Sequence, residues 1–146
     1  MKIKLNRLVL VFLVCVVINA DRISSAVAGD IMIIANKDVP VENLTSDAVN
    51  RIFIGKIMTW KNGDTVTIAI QENDEVHKEF LTKFIKRSAS QFERQWRMNM
   101  FTGKGRLPEK QKSDKELVAY VSLKKGAIGY VSSDFKLPEG IKVLSK

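Results

Sequence analysis

Cysteine and histidine are almost missing from this 146-residue chain, with Cys15 and His77 the sole examples of each. From residue 29 onward there is no cysteine, so neither a disulfide framework nor thiol chemistry is available there and the core must carry the stability. His77 has no Cys and no second His near it, which gives a metal site no support. One histidine also leaves almost no room for a Ser-His-Asp arrangement, and no serine sits in a nucleophile elbow. Glu75 and Glu79 lie at i and i+4, but they pair more naturally with Lys78 and Lys83 along a helix surface than as a catalytic carboxylate couple. No enzyme signature, cofactor or metal is therefore expected. Repeats, low-complexity stretches and Pro/Gly/Ser-rich linkers are also lacking, so the chain reads as continuous.

A bilayer-spanning run is missing too. Lys2, Lys4 and Arg7 precede an unbroken apolar run from Leu8 to Ile18, which is too short to cross a membrane comfortably. Small residues follow, and Ala26-Val27-Ala28 offers the pattern that a signal peptidase reads. We expect residues 1–28 to be a signal peptide cleaved after Ala28, with Ala20 the weaker cleavage point and an uncleaved anchor the alternative. Residues 29–146 form one domain of 118 residues, enough for an ordinary core.

Within that domain 20 basic residues face 15 acidic ones, a net charge of +5. The excess is local, because residues 78 to 112 hold ten Lys or Arg against Glu79, Glu93 and Glu109. Such a segment favours anions, whether a small oxyanion, an acidic partner or a lipid headgroup. For an exported chain, nucleic acid is not an expected partner.

Strands and helices alternate along the sequence. "DIMIIAN" (30–36) reads as a buried strand, and Thr45-Ser46-Asp47 caps a helix whose apolar stripe is Val49, Ile52 and Phe53. Gly55 closes that helix in the left-handed conformation, and Trp60 precedes an Asn62-Gly63 turn. "TVTIAI" (65–70) is a second strand. Asn73 or Asp74 caps the next helix, with a stripe of Val76, Phe80, Leu81, Phe84 and Ile85, and Ser88 to Ser90 breaks it. A third helix carries Phe92, Trp96 and Met100 on one face. Arg94 and Arg97 lie on its other faces, beside the indole, and read mainly as a solvated side of the helix. Ser113-x-x-Glu116 is a capping box opening a fourth helix, which Gly126 ends. "AIGYVS" (127–132) is a third strand, with Gly129 marking a close backbone approach, and "IKVLSK" is a final short one. The alternation argues for an α/β layer with some parallel pairing.

The succession "LTSDAVNRIFIGKIMTW", a strand and helix, then "GAIGYVS" after a capped helix resembles the phosphate-type periplasmic substrate-binding proteins of ABC transporters, over roughly residues 30 to 134. The resemblance implies one lobe of a type 2 periplasmic-binding-protein-like fold, in short form, with a mixed sheet flanked by helices. It implies a periplasmic, non-enzymatic solute-binding protein that recognises phosphate or another anion. The alternative is a periplasmic interaction or adaptor protein that kept the fold and lost the ligand, docking on a membrane transporter, a sensor or itself as a homodimer. Where family members place an Arg and a Gly-Ser-Gly-Thr turn, this chain has Gln71-Glu72-Asn73-Asp74-Glu75, whose carboxylates repel phosphate. The best remaining anion site is the loop Thr102, Gly103, Lys104, Gly105 and Arg106, in which two glycines let backbone amides converge into a nest beside two cations and a hydroxyl. A solvated basic turn is the plainer reading of that loop.

Overall fold

The structure is a computed structural model that describes residues 29–146. The expected signal peptide, its cleavage point and Cys15 lie outside the described residues.

Ten elements follow one another. Strand β1 (Ile31–Asn36) leads to helix α1 (Ser46–Phe53), strand β2 (Thr67–Gln71) and helix α2 (Asp74–Phe80). A π-helical turn (Leu81–Ile85) separates α2 from helix α3 (Ala89–Phe101). Strand β3 (Glu109–Gln111), helix α4 (Asp114–Leu123), strand β4 (Ala127–Ser132) and strand β5 (Ile141–Ser145) complete the order. The strands form one sheet in the order β3-β2-β4-β1-β5. β2 runs parallel to both β3 and β4, whereas β1 is antiparallel to β4 and β5. Only β1 runs against the rest, which is the mixed sheet expected. Its register sets Ile31 opposite Ser132 and Asn36 opposite Ile141.

All six residues of β1 are buried, because helices cover both faces of the sheet. Alternate side chains go to opposite layers. Ile31, Ile33 and Ala35 join Ile68, Ile70, Ile128, Tyr130 and Leu144 under α1, α2, the π turn and α3. Met32, Ile34, Ala69 and Val131 pack instead against Leu117, Val118 and Val121 of α4. Gly129 is central to the second layer, since a Cβ there would press into Leu117 and lie 3.3 Å from the Ala69 carbonyl oxygen.

The capping signals act locally as read. Thr45 Oγ1 accepts from Ala48 N–H, Asn73 Oδ1 from Glu75 N–H, and Ser113 Oγ from Glu116 N–H. Glu116 reaches back to the Lys112 N–H rather than to that of Ser113. Two expectations change. β3 has no apolar pattern and was not foreseen, and its pairing with β2 is what makes it a strand. Met100, expected in the buried stripe of α3, is exposed, and Asn99 is buried in its place. Asn99 is tolerated inside because its Nδ2 donates to Ile54 O at 3.0 Å and its Oδ1 accepts from Gln95.

The stretch "RIFIGKIMTW" is packing. Gly55 adopts φ +80 directly under Trp96 and Asn99. The Trp96 indole N–H donates to Phe53 O at 2.8 Å, and the Trp60 indole N–H to Gly126 O at 2.9 Å. The two tryptophans thus clamp the end of α1 to α3 and the start of β2 to β4.

Candidate functional site

Helix α2 does not run smoothly into a second segment. Leu81, Phe84 and Ile85 all bury, and the backbone widens into a π turn in which Lys86 N–H donates to Leu81 O at 2.7 Å. Asn50 Nδ2 donates to Phe84 O and Ile85 O, at 2.9 and 3.1 Å, and holds the turn's last carbonyls. Lys86 closes the turn at φ 59, the single left-handed non-glycine among the described residues. That conformation costs about 1–2 kcal/mol in an L-residue, and strain of this kind gathers at functional positions. Two residues on, Ser88 caps α3 through a full capping box with Gln91.

The turn opens a cleft of about 720 Å³ lined by His77, Lys78, Leu81, Thr82, Lys86, Arg87, Ser88, Ala89 and Gln91. Three of those side chains are cationic and none is a carboxylate. The positive end of the α3 dipole adds to the same field. An adjoining cleft of about 380 Å³ shares Lys86, Arg87 and Gln91, extends to Arg94, Gln95 and Met98, and again has no carboxylate in its lining. Among the described residues the ion pairs are Lys83–Asp30, Lys125–Asp64 and Lys142–Glu42, so Lys86, Arg87 and Arg94 belong to none, whereas Lys78 also lines a cleft with Glu75 and Glu79. Arg87 is steadied by donating to Gln95 Oε1 at 3.1 Å.

Behind the cleft lies a buried polar chain. His77 Nδ1 sits 2.5 Å from Tyr130 Oη, which also accepts from Gln71 N–H at 3.0 Å. Burial pushes the Tyr130 phenol well above its ordinary range, a shift only partly opposed by the Gln71 bond. The phenol therefore keeps its proton, and its oxygen is hydrogen-bonded to His77 Nδ1. Stacking on Phe80, with centroids 3.8 Å apart, holds the Tyr130 ring in place. The Gln71 side-chain amide donates to Tyr130 O and to Asp114, while its Oε1 is buried with no hydrogen-bond partner among the described residues. Chemically this arrangement suits electrostatic capture of a small anion, with the hydroxyls of Thr82 and Ser88 as further polar groups.

The loop expected from the sequence is built differently. Thr102 N–H donates to Met98 O, Gly103 N–H to Met100 O and Lys104 N–H to Asn99 O, and the Thr102 hydroxyl donates to Met98 O at 2.8 Å. Three amides and the hydroxyl are thereby spent on the carbonyl end of α3, so the expected concavity of free amides does not form. Gly105 packs near Met58 and Trp96. Lys104 is exposed, while Arg106 enters another cleft, of about 500 Å³, with Asp64, Glu109, Tyr120, Lys124 and Lys125. There a hydrogen bond from Lys125 holds Asp64 below the usual carboxylate range, and desolvation with the Glu109 charge pushes Tyr120 up. The carboxylates make that cleft less welcoming to an anion than the one at Lys86. A further cleft, between the start of β1, the end of β4 and α2, is lined by Asp30, Glu75, Glu79 and Asp134 against one Lys78.

The Lys86-Arg87-Ser88 site was partly visible in the sequence, as the middle of the basic segment and as an S-x-x-Q capping signal. Among the described residues no group of three or more His, Cys, Asp or Glu is placed to hold a metal ion, and no helix is long and apolar enough to cross a membrane.

A family model described as a PBP superfamily domain matches residues 17–146. Solved structures share the fold at low identity. A protein from Clostridium perfringens, described as a phosphate ABC transporter substrate-binding protein and solved with bound phosphate, aligns at 19% identity and a TM-score of 0.62 over 80% of this chain and 44% of its own. PstS from Borrelia burgdorferi aligns at 17% and 0.64, over 80% and 47%. An ABC-type phosphate transport receptor from Vibrio cholerae aligns at 16% and 0.60, over 80% and 45%. The chain spans less than half the length of each of these structures. A search of curated protein sequences finds no match.

Proposed function

The chain belongs to the PBP superfamily domain family, and from that premise we propose that it is an exported, non-enzymatic binding module that recognises phosphate or a similar small oxyanion in the periplasm. The observation that carries this reading is the carboxylate-free cleft beside Lys78, Lys86 and Arg87. The named structural neighbours are substrate-binding and transport proteins, which supports a binding role and a membrane transporter or sensor as its client. The reading takes residues 1–28 as a signal peptide removed after Ala28, which N-terminal sequencing of the exported protein checks.

Calorimetric titration of residues 29–146 with inorganic phosphate at low ionic strength tests the ligand. Saturable one-to-one binding is expected. The pair Lys86→Asn and Arg87→Gln should weaken it tenfold or more, because one charge-assisted hydrogen bond contributes about 1.5–3 kcal/mol. Asn is chosen at 86 because it tolerates the left-handed backbone. Lys104→Gln with Arg106→Gln should leave binding unchanged; loss of binding in that pair alone would return the site to residues 102–106. Absence of any binding by the unmodified chain rejects oxyanion recognition altogether.

A second reading, an interaction protein without a small ligand, is favoured by one observation. Phe101 and Leu123, both large and apolar, are 79% and 88% exposed.

A further inference from the structure

The outward face of α3 carries a combination that the fold does not use and that the anion clefts touch only at their edge, through Arg94 and Met98. At 3.6 residues per turn, Arg94, Arg97, Met98 and Phe101 cluster on the side of the helix opposite Phe92, Trp96 and Asn99, which are buried. Phe101 is 79% and Met98 57% exposed, and both arginines are exposed. Neither arginine belongs to an ion pair among the described residues. The single carboxylate of α3, Glu93, lies on its flank, in a cleft that also holds Trp96, Arg97 and Leu107.

We propose that this face docks α3 on an anionic phospholipid surface, with Phe101 and Met98 entering the headgroup–acyl boundary and Arg94 and Arg97 meeting lipid phosphates. Two features select a bilayer over a folded acidic protein. Phe101 and Met98 are exposed beside the arginines, so apolar and cationic groups share one helix face, the pairing that an interfacial site on an anionic bilayer requires. The arginines are exposed and in no ion pair among the described residues, suited to a sheet of negative charge, and their aliphatic stems can lie along the apolar residues while the guanidinium groups stay with the phosphates. The inference does not depend on the oxyanion reading.

The test is flotation of residues 29–146 with vesicles of phosphatidylcholine alone or mixed with phosphatidylglycerol. Binding is expected to the anionic vesicles only, and to vanish near 1 M salt, where the screening length falls to about 3 Å. Replacing both arginines by Gln should lower the partition coefficient about 25-fold, at roughly fivefold for each cation, and Phe101→Ser about tenfold. Because residues 29–146 have no cysteine, Phe101→Cys accepts a single environment-sensitive dye, whose emission should shift to the blue on anionic vesicles. Phosphate titration of Phe101→Ser separates the two proposals, since its heat should match that of the unmodified chain whatever the vesicles show. No association at low salt, or association that these variants leave unchanged, overturns the proposal. So does concentration-dependent self-association that Phe101→Ser abolishes without vesicle binding, which would assign the face to a second copy of the chain.

Discussion

Replacing Gly55 by Ala sets two separable penalties against the fold. The first is local, because φ is +80 at this position and a Cβ in left-handed backbone costs about 1–2 kcal/mol. The second is tertiary. The new methyl group would overlap Asn99 Nδ2 and lie 3.2 Å from the Trp96 ring, so Asn99 must swing away. That movement breaks its 3.0 Å hydrogen bond to Ile54 O and leaves a buried carbonyl unpaired, a loss of about 1–3 kcal/mol. The single substitution should therefore cost roughly 2–5 kcal/mol, a large part of an ordinary domain's stability. Asn99→Ala removes the same hydrogen bond and also clears the space. In that background Gly55→Ala should cost only the backbone part, giving a coupling of about 1–3 kcal/mol between two residues 44 positions apart in sequence. Effects of the glycine on the unfolded chain are common to both backgrounds and cancel in the cycle. Urea unfolding of the four proteins measures it. Strict additivity would show that Asn99 does not sense the missing side chain, and the account of α1 ending against α3 would fail.

Tyr130→Phe leaves the buried Gln71 N–H without its acceptor and should cost about 1–3 kcal/mol at neutral pH in the same assay. Because burial raises the phenol's pKa, its contribution is complete below the unfolded tyrosine value. Above about pH 10 the unfolded chain loses a proton that the folded chain retains, so stability falls by roughly 1.4 kcal/mol per pH unit. The Phe variant should lack this component of the alkaline decline, and equal slopes for the two proteins would refute it. Gly129→Ala should lower stability by about 1–3 kcal/mol, since the methyl group is driven into Leu117 and towards a backbone oxygen of β2. In a Leu117→Ala background, itself destabilised by the lost core volume, the same change should cost less, a non-additivity that thermal melts of the four proteins measure.

Helix starts were legible because a cap is a local device. Thr45, Asn73 and Ser113 need only the next two or three amides, and the sequence displays both halves of each contact. Gly55 and Gly129 were legible for a related reason, as positions where a side chain has no room. The π turn was not, because Leu81, Phe84 and Ile85 fit an ordinary helical stripe equally well, and what widens the turn is Asn50, more than thirty residues upstream. β3 offered no periodicity, being three polar residues made into a strand by β2. The loop at 102–106 shows the limit of composition. Its glycines do permit amides to converge, but the end of α3 claims those amides first, and sequence alone does not say which acceptor wins. Basic character was read correctly for the segment as a whole. Its focus at Lys86 and Arg87 depended on the backbone reversal at the π turn.

The position of β1 between β4 and β5 governs how the chain can be made. Ile31 is hydrogen-bonded beside Ser132, about a hundred residues later, and the other edge of β1 pairs with residues 141 to 145. Until residues 127–132 are present β1 has no neighbour, its other edge stays open until residues 141–145 follow, and its five apolar side chains are unsheltered meanwhile. Helices α1 to α3 can form early from local contacts, whereas closure of the sheet must wait for the far end and the loss of chain entropy that it entails. Such an order of assembly keeps the unfinished chain loose while it is still being synthesised, and leaves consolidation as one late, cooperative event.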